Sequence, residues 1–333
     1  MTLRVGIIGC GGIANTHARI LSGNKEVSLV AFCDIVEENA KSFNDKYAKG
    51  KANVYTDYTK MLEKEKLDIV YICLPPFAHS NEVEIAAENH TNVFIEKPIA
   101  LSLELARNMV KVTEKYSIKT QVGFMSRFGT AVEYFKDLES KGETGNLVLF
   151  TGRYFCNSLH SPWWREKSKS GGQVVEQIIH LYDLSRHLMG EPKSVFSKMD
   201  NLVHKDVENY TVEDVSASVV KFKNGSLAAI AATNCAIPNK WIFDFHVVSK
   251  NYTAYFSSPN VASIIKTDVP WENSTEIKSS KDIYEAETLD LISAVKEDKS
   301  TRVPMIEGAR SLSLVLSVVK SAEENKEVEV EVV

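Results

Sequence analysis

The stretch Leu3-Arg4-Val5-Gly6-Ile7-Ile8-Gly9-Cys10-Gly11-Gly12-Ile13-Ala14 decides the fold. An apolar run of strand length, Leu3 to Ile8, stops at a glycine-rich turn, and Ile13 to Leu21 then mixes apolar and polar side chains at intervals of three and four, as an amphipathic helix requires. The turn reads Gly-x-Gly-x-x-Ala, and each small residue has a task. Gly9 permits the tight bend, Gly11 lets the backbone approach a diphosphate, and Ala14 lets helix pack on strand; Gly12 and Ile13 open a helix whose first amides offer donors and a partial positive charge. Asp34 closes the next apolar run, Val27 to Cys33, 20 residues after Ala14, the separation at which a carboxylate binds both hydroxyls of a ribose. The joint spacing predicts a dinucleotide site. A carboxylate there repels a 2′-phosphate, and Ile35 and Val36 bring no arginine to offset it, so NAD is expected in preference to NADP, which stays possible.

The same rhythm continues outward. Strand-length runs recur at Asp68 to Leu74 and Val93 to Ile95, with a last one near Lys119 to Val122, and helical patterns lie between them at Glu37 to Tyr47, Ser80 to Asn89 and Leu103 to Tyr116. Strict alternation predicts a doubly wound parallel sheet with crossover helices. Full burial explains why Ile69 to Cys73 runs apolar without alternation. A boundary is expected near Gly123, giving domains 1–122 and 123–333. Beyond it, strands are expected at Leu147 to Cys156, Val215 to Phe222, Leu227 to Thr233, Trp241 to Ser249 and Tyr252 to Phe256, with a hairpin at Asn224-Gly225, where both residues tolerate positive φ. Helices are expected over Gln173 to Met189, stopped by Gly190 and Pro192, and over Glu285 to Lys296 and Glu307 to Glu323. The class is α/β: a parallel N-terminal sheet plus a C-terminal α+β domain with a mostly antiparallel sheet.

Composition narrows the function. With 333 residues, 44% hydrophobic and 25% charged, collagen, coiled coil and extended disorder are poor readings. Lys plus Arg number 39 against 44 Asp plus Glu, a net of −5, and no basic run exceeds the mixed stretch Arg165 to Lys169, so nucleic acid is not an expected partner. Five cysteines, at 10, 33, 73, 156 and 235, fall in no Cys-x-x-Cys pair and suggest reduced thiols of a cytosol. The N-terminus lacks the long apolar region and cleavage site of a signal peptide. The longest uncharged stretch, Asn224 to Asn239, is too polar to span a membrane, and a cytoplasmic location is expected.

Two further groups of residues carry chemistry. Glu96-Lys97-Pro98 stands where a buried strand emerges at its carboxyl end, the ligand edge of an open parallel sheet; Lys97 is placed to touch a substrate, and Leu74 and Pro75, ending the preceding strand, to line the nicotinamide side. In the second half, Ser170-Gly171-Gly172 leads into a helix with Glu176, His180, Asp183 and His187 along one side. A histidine takes a hydroxyl proton near neutral pH, and a carboxylate one turn away orients its ring. Glu-x-x-x-His and His-x-x-Asp also suit zinc or iron, but no third histidine or cysteine cluster lies nearby, so no metal is expected. Trp163-Trp164 either forms an aromatic wall for a sugar ring or, the commoner use of such pairs, anchors its loop. His17 reads as a packing or capping residue rather than a ligand.

Taken with the segment Gly123-Phe124-Met125-Ser126-Arg127-Phe128, these motifs resemble the Gfo/Idh/MocA oxidoreductases, the family of glucose-fructose oxidoreductase and inositol dehydrogenase, over nearly the whole chain. The resemblance implies a Rossmann domain, an active site between the domains, and an open C-terminal sheet face used for a homodimer or homotetramer. It implies that Lys97 holds the substrate hydroxyl and His180 acts as acid or base; Glu176 stands where the family more often has Asp. It places Glu96 and His79 near the cofactor crevice, His79 serving equally as a helix-start residue, and Arg127 near the nicotinamide and substrate mouth unless it pairs with a surface carboxylate. The expected reaction is hydride transfer between NAD(P) and a secondary alcohol or ketone of a sugar, inositol or related polyol. A cofactor sensor without turnover, or a dihydrodiol or biliverdin type reductase, uses the same scaffold.

Overall fold

The computed structural model describes residues 2–268 and 274–333. Two compact units divide the chain: Met1–Phe124 with Tyr284–Ala309, and Met125–Ile283 with Arg310–Val333. The first therefore includes a return segment that a single cut near Gly123 leaves out. Among the described residues, no helix is long and apolar enough to cross a membrane.

The first unit is built on strands β1 (Leu3–Ile8), β2 (Val27–Cys33), β3 (Asn53–Tyr55), β4 (Ile69–Ile72), β5 (Asn92–Ile95) and β6 (Thr120–Val122). They form one sheet in the order β3-β2-β1-β4-β5-β6, and every pairing is parallel. Helices α1 (Gly12–Gly23), α2 (Glu37–Phe43), α3 (Tyr58–Lys64), α4 (Glu82–Glu88) and α5 (Leu103–Lys115) make the crossovers. The chain order reverses between β1 and β4, the switch point at which such sheets open a crevice beyond their carboxyl ends. The expected helix from Glu37 to Tyr47 is α-helical only to Phe43 and continues as a π-turn, Asn44–Ala48. Tyr71 stacks on Phe94 at 4.5 Å in the core, and Leu291 and Ile292 of the helix Ile283–Glu297 belong to the same apolar cluster.

The second unit carries helix α6 (Thr130–Ser140) and nine strands: β7 (Leu147–Phe155), β8 (Pro192–Asp200), β9 (Val215–Phe222), β10 (Leu227–Thr233), β11 (Ile242–Ser249), β12 (Tyr252–Ser258), β13 (Val261–Lys266), β14 (Ser274–Lys278) and β15 (Val328–Glu329). Their order is β14-β13-β12-β11-β7-β10-β9-β8-β15. All neighbours are antiparallel except β7 and β10. Alternation along β9 buries one face and exposes the other. The buried face holds a stack of Phe150, Phe245 and Phe256, with centroids 5.5 Å and 4.3 Å apart. The exposed face shows Phe196, Val219 and Leu227. The expected hairpin forms, but only Gly225 takes positive φ, 91°; Asn224 instead accepts the Ser226 amide on Oδ1 at 3.0 Å.

Helix α6 begins against a neighbouring loop: Ala131 and Val132 both donate to the Pro259 carbonyl. Gly129 makes that approach possible, since a Cβ there would lie 2.3 Å from the Pro259 oxygen. Gly129→Ala is expected to destabilise the protein by about 1–3 kcal/mol, the usual range for forcing a methyl into a filled space. A thermal melt matching that of the native chain would show that the loop gives way.

Candidate active site

In the first unit the fingerprint residues meet at the carboxyl edge of the parallel sheet. Gly9 has φ +85°, and a Cβ there would stand 2.5 Å from the Cys73 carbonyl oxygen at the end of β4, so only glycine fits. Gly11 and Gly12 face open space. No side chain caps the N-terminus of α1, whose first amides are left for an anion. Asp34 is held by the Cys10 amide on Oδ2 at 2.9 Å and the Val36 amide on Oδ1 at 2.9 Å. Asn39 Nδ2 also donates to Oδ1, at 3.2 Å, so Oδ2 is the oxygen that keeps capacity for a hydroxyl. Ala14 is fully buried, Ile13 half-buried beside it. Bare glycine backbone, an uncapped helix and a fixed acidic acceptor fit a dinucleotide.

The remaining expected residues of this unit sort differently. Leu74 and Pro75 follow β4 half-buried, and Leu74 borders the Gly9 turn. His79 is buried with Nδ1 2.6 Å from the Glu82 carboxylate, which is the geometry of a helix-start residue. Burial raises the Glu82 carboxyl, yet bonds from His79 and the Ser80 amide outweigh it and hold the group below its usual range. Glu96 is buried as well; its Oε1 lies 2.7 Å from His17 Nε2, so this carboxylate faces the interior. Lys97 follows, half-buried, joined to Pro98 by a cis peptide bond.

In the second unit the expected helix from Gln173 is wound in two ways: a π-turn over Val174–Ile178, then α-helix over Ile179–Met189. Single turns of this wider winding recur at functional sites. Glu176 lies in the π-turn and His180 in the first α-turn, buried. Trp164 donates its indole N–H to Glu176 Oε2 at 2.8 Å. Buried Trp164 also anchors its loop on Tyr210 and Val212, with Trp163 packed partly exposed against that cluster. Arg127 is paired, though with a buried carboxylate rather than a surface one: Nε and Nη2 donate to Asp183 at 2.8 and 2.6 Å, and Ser311 Oγ donates to Asp183 at 2.7 Å. That commitment removes Asp183 from the His-x-x-Asp pair a metal would need. The side of this helix read as polar is therefore interior, not solvated.

Several groups here carried little sequence signal. His160, beside Trp164 with ring centroids 4.3 Å apart, approaches Gln177 Nε2 at 3.0 Å; burial lowers its pKa. Asn234 joins Gln173, Cys156 and Tyr210. Glu213 fills the room that Gly172 leaves: a Cβ on that residue, at φ +97°, would lie 2.4 Å from Glu213 Oε2. The same carboxyl accepts the Val174 amide at 2.7 Å, at the mouth of the π-turn. The available hint was Gly172, which the positive φ requires and whose missing side chain leaves the room for Glu213.

A glycine-rich, uncapped helix start on a doubly wound parallel sheet, with an acidic acceptor fixed beside it, is the arrangement of a nicotinamide-dependent oxidoreductase. Residues 3–124 match the model of an oxidoreductase family with an NAD-binding Rossmann fold, and residues 132–252 match the GFO/IDH/MocA C-terminal domain. The chain belongs to the Gfo/Idh/MocA oxidoreductases. Glucose-6-phosphate 3-dehydrogenase of Bacillus subtilis (strain 168) is 30% identical over 274 residues, covering 79% of this chain and 77% of that one. Myo-inositol 2-dehydrogenase of Thermotoga maritima is 26% identical over 337 residues, covering 99% of each. Levoglucosan dehydrogenase in complex with NADH shares the fold at a TM-score of 0.91, with 19% identity and 100% of both chains covered.

Burial pushes the Glu213 carboxyl up from 4.5 to about 7, against the downward pull of the Val174 amide and of Lys167. A carboxyl raised in the folded chain stabilises the fold below its ordinary value, and that stabilisation is lost as pH rises through about 7. Glu213→Gln keeps an oxygen for the Val174 amide and never ionises. It is expected to gain on the native protein between about pH 5 and pH 8, by on the order of 2–3 kcal/mol in urea unfolding. A difference that does not change with pH would show that Glu213 does not titrate in this window.

Proposed function

We propose that this protein catalyses the reversible oxidation of a secondary alcohol on a sugar, inositol or related polyol, with NAD as hydride acceptor. The observation that carries the reading is the presence in one chain of the glycine cradle with Asp34 and of Lys97 and His180, groups that a cofactor sensor does not need. Relatives named as dehydrogenases of glucose 6-phosphate and of myo-inositol support the substrate class. Bound NAD supplies the hydride-accepting nicotinamide carbon.

In this reading the chain's own residues manage position and charge. Gly9, Gly11, Gly12 and the first amides of α1 take the diphosphate, Ala14 keeps that helix close, and Asp34 takes the adenosine ribose. Leu74 and Pro75 line the nicotinamide side. His180 accepts the hydroxyl proton on oxidation and returns it on reduction, a transfer worth typically ~10²–10⁴-fold. Lys97 stabilises the developing alkoxide with its ammonium group. Glu176, held by the Trp164 indole, orients the imidazole. The partly exposed ring of Trp163 is assigned to the apolar face of the sugar. Arg127, committed to Asp183, is assigned to holding the His180 helix. The exposed face with Phe196, Val219 and Leu227 suits a second copy of the chain, and the unpaired cysteine set suits the cytoplasm.

Lys97→Ala and His180→Ala are each expected to lower turnover at least a hundredfold while NAD binds as before. Unchanged turnover in either variant would discard that residue's role. The assay is NAD reduction over a panel of sugars, inositols and their acids; tight NAD binding with no turnover on any of them, or on carbonyl compounds with NADH, would favour the sensor instead. Asp34→Ser is expected to weaken NAD by about tenfold or more, since hydrogen bonds to a charged group contribute roughly 1.5–3 kcal/mol, and to narrow the gap to NADP. Titration calorimetry with both dinucleotides reads both effects.

A further inference from the structure

His17 lies on the buried side of α1 with no exposed surface. Its ring packs among Phe94, Tyr71 and Tyr284, with centroids 4.6, 5.4 and 6.1 Å away. Among the described residues Nδ1 meets no hydrogen-bond partner, so the polar work of this imidazole is done by Nε2, 2.7 Å from Glu96 Oε1. The other carboxylate oxygen, Oε2, accepts the backbone N–H of Lys97 at 3.3 Å. It also occupies the room left by Gly123, where a Cβ would lie 2.9 Å from it. A second acidic group, Glu287, brings its carboxylate within 4.8 Å of both His17 and Glu96. A buried carboxylate beside a second one keeps a single orientation only when a donor fixes it.

We propose that His17 is a positioning residue for Lys97: it pins one oxygen of Glu96 so that the other receives the Lys97 amide, which sets the point from which the lysine side chain leaves the sheet edge. The assignment rests on the role given to Lys97 above. The arrangement has the form of a relay in which helix α1 fixes Glu96 and Glu96 fixes the backbone of its neighbour. The same helix offers its first amides to the dinucleotide, so cofactor and lysine are registered to one rigid element. Misplacing a catalytic group by an ångström through a residue remote from the chemistry lowers turnover by up to about a hundredfold.

The test uses His17→Phe, which keeps an aromatic ring among Phe94, Tyr71 and Tyr284 but has no donor; His17→Gln, whose amide restores one; Glu96→Gln; and Lys97→Ala, alone and combined with His17→Phe. The expected result is a kcat about 10–100-fold lower in His17→Phe, with KM and the NAD dissociation constant within about threefold of native, and recovery of most of that loss in His17→Gln. The double variant is expected to be no slower than Lys97→Ala alone, because two groups acting as one unit do not add. Multiplying effects, or a kcat unchanged in both His17→Phe and Glu96→Gln while Lys97→Ala is slow, would overturn the inference. A native rate in Lys97→Ala would instead remove the lysine's own role. Should His17→Phe not fold, Glu96→Gln carries the same comparison, since its amide cannot serve both the His17 and the Lys97 donors.

Discussion

One close approach governs the dinucleotide-binding unit. The backbone at Gly9 passes so near the Cys73 carbonyl, at the end of the adjacent parallel strand, that no side chain can stand between them. That contact turns the chain off β1 and into α1 without a loop, and it aims the uncapped helix end along the carboxyl edge of the sheet. Asp34 depends on it too, because its carboxylate is fixed by the Cys10 amide in the middle of the same turn. Backbone amides present a diphosphate with donors that need no reorganisation, which is why the binding surface here is built largely from missing side chains.

The surroundings of Lys97 and His180, the residues proposed for acid-base work, are built on the opposite principle. Behind Lys97 stand Glu96 and then His17, and in the helix that carries His180 the buried Asp183 is held by Arg127 and Ser311. Burying such groups is unfavourable unless each finds a partner of matching charge or hydrogen-bonding sense. Two-oxygen acceptors meet the requirement well, since one oxygen takes the inner donor while the other takes the outer one. Glu96 works in this way, with His17 on one oxygen and the Lys97 amide on the other. Asp183 instead gives both oxygens to Arg127 and one of them also to Ser311, which ties the helix to its surroundings.

How far the sequence revealed this follows from which interactions are local. The βα rhythm of the first unit was readable because buried parallel strands are continuous apolar runs and the crossover helices are amphipathic; β3, with three residues, and the short helix α3 after it lay below the resolution of pattern. In the second unit β8 was missed because it opens on Pro192 and places the polar Ser194 and Ser197 at buried positions between exposed lysines. Strands β14 and β15 are short, polar edge strands whose pairing is settled by their neighbours, while β13 is paired on both sides and its short run Val261–Lys266 shows no turn signal of its own. The π-turns at Asn44 and Val174 were unreadable, since a helical pattern does not announce i→i+5 winding. The return of Tyr284–Ala309 to the first unit was likewise invisible, because an amphipathic helix shows that it has an apolar face and not which core that face meets.

The candidate site divides along the same line. Glycines and the Asp34 carboxylate are recognisable at fixed spacing because their work is done within one βα unit, where chain geometry links position to role. The buried polar pairs near Lys97 and in the His180 helix are separated by 79 residues for His17 and Glu96 and by 56 for Arg127 and Asp183, so no spacing rule connects them. What the sequence does leave is a mismatch with the local pattern. His17 sits where α1 needs an apolar residue, between buried Ala14 and Leu21, and Gly172 stands at positive φ just before a helix, leaving room that Glu213 fills. A polar residue on an apolar stripe must find a partner elsewhere in the fold, and in an enzyme that partner is often another acidic or basic group standing behind the chemistry.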